Sequence, residues 1–352
     1  MRIRDNVWLR RFANLPEVLK RDGISWTLRK GVWKILHRST RLHSNPTVTG
    51  GIYIAVTTYC DLKCSGCTRT INLKKNRWEN RYISVSAFRQ VVDGFPTTEV
   101  ALLCGIGEPV LHPSLPELIR IVKQSKKFNS IMLTTNLMAR DDEYYLQLFR
   151  AGLSRMLVSV DALTPALVEK VRAGTDTEKL KDRLRFLASR LNRITSPCFG
   201  GIGIRITVGS ENYSSVESIL RELNQLGEFG VSINYFDDFG GDGPQKGLSI
   251  NEMKELGHRI NSIKPSLHNL TVLISPIPKA ERCRALERGA VHATVEGYAT
   301  PCPAVWDKEY YNTNLISTPL SEYLRSSEFE VKRQQLKREY PSFCNGCKYA
   351  HV

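Results

Sequence analysis

The sequence of 352 residues has no apolar run of the roughly 18–20 residues that a membrane-spanning helix needs. No apolar segment or small-residue cleavage site follows Arg10-Arg11-Phe12, a faint match to a twin-arginine signal, so we expect no secretory signal. The length, the hydrophobic fraction of 41% and the charged fraction of 24% argue against a disordered chain and a small disulfide-stapled domain. We therefore expect a globular, cytoplasmic protein of about two domains.

Acidic residues are the scarcer charge, with 35 Asp and Glu against 50 Lys and Arg and a net charge of +15. Residues 1–43 contain eleven of the basic residues and only three acids. Apolar residues recur there at helical spacing, so residues 1–48 are predicted to form a basic amphipathic helical extension. This extension could pack on the domain with a solvated basic face. It could also bind an anionic partner, such as a membrane surface, a nucleic acid or an acidic peptide.

The sequence also lacks a G-x-G-x-x-G motif after its first predicted strand, which argues against a dinucleotide-binding fold. From residue 49 onwards, short apolar runs alternate with helical patterns, which predicts a parallel α/β sheet with right-handed crossovers. The predicted strands are 52–56, 100–103, 130–134, 155–160, 202–208 and 230–235. The predicted intervening helices are 85–94, 115–124, 145–151, 178–191 and 216–226. Periodicity alone allows either an open doubly wound sheet or a barrel.

Polar groups follow the six predicted strands at the ends where functional groups of α/β folds belong. A three-cysteine loop follows the first strand, and Gly105-Ile106-Gly107-Glu108-Pro109 follows the second. The others end at Thr135-Asn136, at Ser159-Val160-Asp161, near Arg205 and Asn212, and at Asp237-Asp238. The glycines would let backbone approach a ligand closely, and the Glu108 carboxylate could hold a ligand ammonium.

The pattern changes after residue 245, where we place a domain boundary between residues 49–245 and 246–352. The second segment is predicted to contain a helix at 251–263, a short strand at 271–275 and a hairpin around Glu296-Gly297. A basic helix at about 320–338 then leads to the last two cysteines.

Seven of the nine cysteines fall in two sets, which in a reducing cytoplasm indicates metal binding. Cys60, Cys64 and Cys67 form C-x3-C-x2-C, and three thiolates suit an iron–sulfur cluster with one open iron. A zinc site that borrows a fourth ligand, such as Cys104 or His112, is the alternative. Outside the two sets, Cys104 and Cys198 are predicted to be buried small hydrophobes.

The second set comprises Cys283, Cys302, Cys344 and Cys347, which could complete a four-thiolate site for zinc or for an iron–sulfur cluster. Their spacings do not decide between these metals. The 41-residue gap between Cys302 and Cys344 is long for a zinc ribbon and favours iron–sulfur.

Together these motifs resemble the radical S-adenosylmethionine (SAM) superfamily with a C-terminal twitch domain, a shorter relative of the SPASM domain. The cysteine spacing resembles the superfamily signature, and Gly107-Glu108-Pro109 resembles its Gly-Gly-Glu-Pro motif with Ile106 in place of one glycine. Val171–Thr175 resembles the helix start after the fourth strand. Cys283-x13-Gly297-x4-Cys302 followed by Cys344-x2-Cys347 resembles the twitch pattern.

The resemblance implies a partial (β/α)6 TIM-like barrel with a small auxiliary-cluster domain. It implies a SAM-binding [4Fe–4S] cluster on Cys60, Cys64 and Cys67, and an auxiliary [4Fe–4S] cluster on the four C-terminal cysteines. The amino group of SAM would contact Gly105, Gly107, Glu108 and Pro109. Its ribose and carboxylate would be faced by Thr135, Asn136, Ser159, Asp161 and Arg205.

One position departs from the family pattern: the residue before the third cysteine is often aromatic, whereas here it is Gly66. That difference puts the usual packing of the loop in doubt, although not the cluster.

The family implies a radical enzyme that takes hydrogen from an unactivated C–H bond, with an external flavodoxin- or ferredoxin-type protein as one-electron reductant. The four-cysteine arrangement favours dehydrogenation or epimerisation of a small polar substrate. A maturase that modifies a ribosomally made peptide is the alternative within enzymes. An electron carrier or a zinc-dependent nucleic-acid binder is the non-catalytic alternative.

Overall fold

The computed structural model describes residues 51–191, 201–237, 243–277, 292–302 and 308–338, together with Cys344 and Cys347. The basic N-terminal extension, Cys198, Asp238 and Cys283 lie outside the described residues.

A parallel sheet forms the body of the molecule and uses all six predicted strands. In chain order these are β1 (Gly51–Ile54), β2 (Thr98–Leu103), β3 (Phe128–Thr135), β4 (Arg155–Ser159), β5 (Gly201–Val208) and β6 (Phe229–Tyr235). Each pairs in parallel with the next, so spatial order follows chain order. Right-handed crossovers that always step in one direction place the helices on one face and curve the sheet. The order therefore indicates a partial barrel and not a doubly wound sheet.

The helices alternate with these strands and cover the outside of the sheet. They are α1 (Thr68–Lys74), α2 (Val85–Asp93), α3 (Leu115–Ser125), α4 (Asp142–Ala151), α5 (Pro165–Val171), α6 (Thr177–Leu191) and α7 (Val216–Leu226). Alternate strand residues such as Ile52, Ile54, Ile204 and Ile206 are fully buried in one continuous core. The residues between them, including Tyr53 and Arg205, are only half-buried because they face the opposite side of the sheet.

The sheet continues past residue 245. The helix α8 (Ile250–Ile263) begins with a reciprocal capping box between Ser249 and Glu252, and it leads into β7 (Leu270–Ile274), which pairs in parallel with β6. The predicted hairpin is present as β8 (His292–Ala293) and β9 (Ala299–Thr300), with Gly297 at φ 83° in its turn. Because β8 pairs in parallel with β1, the hairpin extends the other edge of the same sheet. The domain boundary near residue 245 stays a prediction.

The predicted helix at 320–338 is divided into a short α9 (Leu320–Tyr323) and a longer α10 (Ser327–Arg338). Leu320 and Tyr323 are buried and Ser321 N–H bonds to the Gly94 carbonyl, so α9 docks beside the end of α2. No helix among the described residues is both long and apolar enough to cross a membrane.

Candidate cofactor site

The three-cysteine loop follows β1 and runs into α1, and Cys67 is the N-cap of that helix. Arg69 lies underneath and donates to the carbonyls of Thr58 (2.9 Å) and Leu62 (3.5 Å), which fixes both sides of Cys60. The loop is also joined to the chain that follows α5, because the Lys63 N–H donates to the Ala173 carbonyl at 3.0 Å.

All three thiols of this loop are half-buried. Burial, followed by the nearby Glu108 and Asp61 carboxylates, raises the pKa of the Cys60 thiol to about 12. A thiolate at this position therefore needs a cationic partner, and a metal cluster is such a partner. Within the described ranges, no three His, Cys, Asp or Glu side chains are already arranged around one metal position. The donor set fits an iron–sulfur cluster by its chemistry, but the thiols would have to turn towards one another.

The Gly105–Pro109 loop after β2 packs directly on the chain that leads to Cys60. A Cβ atom on Gly107 would lie 2.4 Å from the Thr57 carbonyl oxygen and 2.8 Å from the Tyr59 carbonyl oxygen, so only glycine fits there. The Glu108 N–H donates to the same Tyr59 carbonyl at 2.7 Å. A Cβ on Gly105 would lie 2.7 Å from the Ala55 Cβ. The structure therefore brings these two predicted segments into contact.

Glu108 is 3% exposed, and its carboxylate accepts hydrogen bonds from protein groups. One oxygen accepts the Asn136 N–H at 2.7 Å, and the other accepts the Val110 N–H at 3.3 Å where Pro109 begins a short 3-10 turn. Burial raises its pKa to about 7, although the hydrogen bonds oppose the shift. Both oxygens already have a backbone donor, and contact of this loop with a SAM amino group remains a prediction.

Thr135 and Asn136 at the end of β3 are buried and also bind within the protein. The Asn136 side chain donates to Asp61 at 2.7 Å and accepts the Met138 N–H, while Thr135 Oγ1 accepts the Leu137 N–H. These bonds are those of strand-end caps, and they tie β3 to the cysteine loop. A sugar-facing role for either residue stays a prediction.

Asp161 follows β4 and forms an ion pair with Arg172 at 2.8 Å, with both side chains mostly buried. Its other carboxylate oxygen accepts the Thr207 N–H at 2.7 Å, so β4, β5 and the chain after α5 are joined here. Its neighbour Ser159 is half-buried and lies in register with Arg205 on β5.

Arg205 is the predicted SAM contact whose donor capacity is not used up. Its Nε is buried and has no hydrogen-bond partner among the described residues. Because a buried unpaired donor is costly, this guanidinium fits a ligand carboxylate.

Sequence reasoning missed a group of side chains beside Arg205. The rings of Tyr53 and His292 lie 5.9 Å apart on neighbouring strands β1 and β8. Burial lowers the pKa of His292 to about 4, with a smaller opposing contribution from the Cys104 carbonyl. Burial also raises the pKa of Cys104 to about 11, opposed by Arg205. Cys104, predicted to be a buried small hydrophobe, is instead half-buried at the end of β2 because the open side of the sheet begins there. Pairing between β1 and β8 could have been found only from the fold.

An aromatic ring does reach position 66, but it comes from a distant part of the chain. A Cβ on Gly66 would lie 2.7 Å from Cζ of Phe236, which follows β6, and 3.4 Å from the buried Gln245 side chain. The Phe236 ring thus packs against Gly66 so closely that no side chain fits at residue 66 without a shift of that ring. Nothing in the local sequence around the cysteines indicates this contact.

The C-terminal cysteines are described only in part. Cys344 and Cys347 are buried, and the Cys347 N–H donates to the Cys344 carbonyl at 2.9 Å. Cys302 is half-buried just after β9. The predicted fourth ligand, Cys283, is outside the described residues, so the auxiliary site stays a prediction.

A cavity of about 440 Å³ opens at the carboxyl ends of β1 and β2. Ala55, Thr58 and Ile106 form its inner side, next to the loop contacts described above. The α1–α2 connection and the β8–β9 hairpin with residues 308–311 form the other sides.

Comparison with known proteins identifies the class. Residues 54–223 match the family model of the Radical SAM superfamily, so the chain carries a radical SAM domain. That match covers the cysteine loop, the Gly105–Pro109 loop and Arg205, and it confirms the resemblance to the superfamily. The C-terminal twitch domain lies outside the matched residues and stays a prediction.

The curated relatives are similar over part of their length. A tungsten-containing aldehyde ferredoxin oxidoreductase cofactor-modifying protein from Pyrococcus furiosus is 27% identical over 185 residues, covering 50% of this chain and 48% of that protein. A GTP 3′,8-cyclase from Chlorobaculum tepidum is 34% identical over 122 residues, covering 32% of this chain and 33% of the relative. The chain thus matches about half of these relatives or less.

Solved structures extend the likeness over most of the chain. SuiB from Streptococcus suis, bound to S-adenosylmethionine, superposes with a TM-score of 0.65 and 14% identity over 90% of this chain and 79% of its own. The protein anSMEcpe with bound AdoMet gives a TM-score of 0.64 and 13% identity over 85% and 88%. At these identities the likeness concerns the fold, and it confirms the predicted partial barrel.

Proposed function

We propose that the chain is a radical SAM oxidoreductase that binds a small polar substrate at the open mouth of the barrel. The observation that carries the proposal is the contact of Gly107 and Glu108 with the backbone of residues 57–59. It joins the loop that would hold a cluster to the loop that would hold SAM.

Cys60, Cys64 and Cys67 would hold a [4Fe–4S] cluster, and the half-buried loop would shield it from water. When bound, the cluster and SAM supply the radical chemistry that opens an unactivated C–H bond. The chain's own residues would bind SAM and orient it. Arg205 would pair with the SAM carboxylate through its unpartnered Nε. The Gly105–Pro109 backbone would receive the amino group. The ribose would lie towards Ser159 and Asp161.

Asp161 could contact the ribose only while it also keeps its ion pair with Arg172 and its hydrogen bond from the Thr207 N–H. An ion pair this far from solvent is a rigid support, because separating it would leave a buried charge without a partner. Asp161 is therefore proposed to position the ends of β4 and β5, and any contact of its carboxylate with a ribose would be additional to these bonds.

Cys283, Cys302, Cys344 and Cys347 would hold an auxiliary [4Fe–4S] cluster that could accept an electron and so allow net dehydrogenation. The burial of Cys344 and Cys347 supports a closed site. Without such a cluster, a redox-neutral reaction such as epimerisation becomes the favoured reaction. An external flavodoxin- or ferredoxin-type reductant, in the cytoplasm, belongs to the same proposal.

The size of the substrate follows from the cavity. A space of about 440 Å³ is within the usual range for a small-molecule ligand. A peptide substrate is the alternative, because a solved structure of SuiB holds its precursor peptide SuiA and superposes with a TM-score of 0.63, although at 14% identity.

The test is the iron content and SAM cleavage of the anaerobically reconstituted protein. We expect roughly eight irons per chain, falling to about four both in a Cys60/Cys64/Cys67→Ala variant and in a Cys344/Cys347→Ala variant. Formation of 5′-deoxyadenosine should disappear in the first variant. Cys198→Ala, at a cysteine with no predicted ligand role, is the control. Cleavage that survives loss of the three-cysteine loop would refute the proposal.

A further inference from the structure

The cavity at the mouth contains an acidic group whose hydrogen bonding is incomplete. Glu296, at the turn of the β8–β9 hairpin, lines the cavity with a side chain that is 22% exposed. Its Oε2 is buried and has no hydrogen-bond partner among the described residues. Its Oε1 is 4.0 Å from the Arg81 Nε, which is too long for a hydrogen bond. It is costly to leave a buried carboxylate oxygen without a hydrogen bond, so a ligand with a hydrogen-bond donor would be stabilised at this oxygen.

The same cavity has two cationic side chains on its outer part. Arg77 and Lys308 both line it and are exposed. In the part of the chain that the structure describes, neither side chain has an ion pair or a hydrogen bond. Arg81, in contrast, is already paired with Glu79. The outer part of the cavity therefore has positive charge available for an anionic group.

Two half-buried aromatic side chains complete the walls, Trp78 from the α1–α2 connection and Tyr311. The Tyr311 ring lies 5.4 Å from the ring of Tyr298 beside the hairpin, which restricts its position. Flat apolar faces of this kind suit the carbon skeleton of a compact ring.

We propose that this cavity is the substrate site and that it selects a small ring compound with two polar ends. One end carries a hydroxyl or ammonium donor that binds Glu296 Oε2. The other carries an anionic group, a carboxylate or phosphate, that binds Arg77 and Lys308. The assignment rests on the proposed function, because Ala55 and Ile106 place the cavity beside the loops assigned to the cofactors.

The experiment is calorimetric titration of the iron–sulfur-loaded protein with three probes. Glucosamine 6-phosphate has both ends, glucosamine lacks the anion, and cyclohexyl phosphate lacks the donors. We expect glucosamine 6-phosphate to bind at least about tenfold more tightly than either of the others. This is the gain in affinity that one additional charge-assisted hydrogen bond would give. Glu296→Gln should remove its advantage over cyclohexyl phosphate, and Lys308→Met should reduce its advantage over glucosamine.

Glu143→Gln and Lys179→Met, at exposed positions on α4 and α6, are the matched controls and should bind as the unmodified protein does. Equal affinity for the three probes, no binding of any of them, or unchanged binding by Glu296→Gln would overturn the assignment. The formation of 5′-deoxyadenosine is measured on the same samples. Cleavage of SAM without probe selectivity would overturn only the cavity assignment. Selectivity without cleavage would overturn the proposed function and leave the cavity as a binding site for such compounds.

Discussion

The close packing of Gly107 against the backbone of residues 57–59 can be tested by adding one methyl group at residue 107. In Gly107→Ala the new Cβ would lie 2.4 Å from the Thr57 carbonyl oxygen, 2.8 Å from the Tyr59 carbonyl oxygen and 2.9 Å from the Thr58 Cα. All three are backbone atoms, so no side-chain rotation relieves the overlap, and the two loops must separate. Overpacking of this kind costs about 1–3 kcal/mol.

Gly257→Ala is the control, because a Cβ at that position in α8 meets nothing within 4 Å. There the substitution should stabilise the helix by about 0.5–1 kcal/mol. The two variants should thus differ by about 1.5–4 kcal/mol in the free energy of unfolding, measured by urea denaturation. Gly107→Ala should also hold fewer irons per chain. If it matched Gly257→Ala in both midpoint and iron content, the argument that this contact builds the site would be refuted.

Three further outcomes are expected. Between pH 6.5 and about 4, the unfolded chain binds a proton at His292 that the folded chain does not, so His292 should contribute a fall of about 3 kcal/mol in the free energy of unfolding on acidification. Glu108, whose pKa is raised to about 7, contributes in the opposite direction, so the His292 part is read as the difference between the unmodified protein and His292→Gln. In urea denaturation series across this pH range, His292→Gln should lose that contribution, and a pH dependence identical to that of the unmodified protein would contradict it. Gly66→Ala should lower iron retention, since its methyl group would meet the Phe236 ring, and Phe236→Leu in the same chain should restore it; no recovery would contradict this packing. Ser249→Ala should destabilise the protein by about 1 kcal/mol through loss of the α8 cap, and an unchanged melting temperature would contradict that role.

The parallel α/β sheet could be predicted from the sequence because its strands and helices have strong and different periodicities, whereas its barrel form was implied only by the family resemblance. Residues 204–208 alternate between buried aliphatic side chains and the half-buried Arg205 and Thr207, which is the period of a strand with two unlike faces. The strand ends could be predicted to share one edge for the same reason. Predicted and observed strand bounds differ by at most two residues.

The roles of individual polar residues at that edge could not be predicted, because the type of a side chain does not reveal which partner it binds. Asn136 is predicted to face SAM, which stays a prediction, and nothing in the local sequence indicates that its amide joins Asp61 to Met138. Long-range packing was equally inaccessible, since Phe236 reaches Gly66 only after β6 has taken its place in the sheet. The division of the predicted C-terminal helix into α9 and α10 likewise depends on the docking of α9 beside α2.

The pairing of β8 with β1 also has a consequence during synthesis. Among the described strands β1 is synthesised first, and β8, the described partner of its outer edge, is complete only when His292 and Ala293 have been made. An unpaired edge of a parallel sheet is a template for association with other chains. A nascent chain that has completed the other strands of the barrel is therefore still vulnerable to aggregation, and the hairpin acts as the last step that protects it.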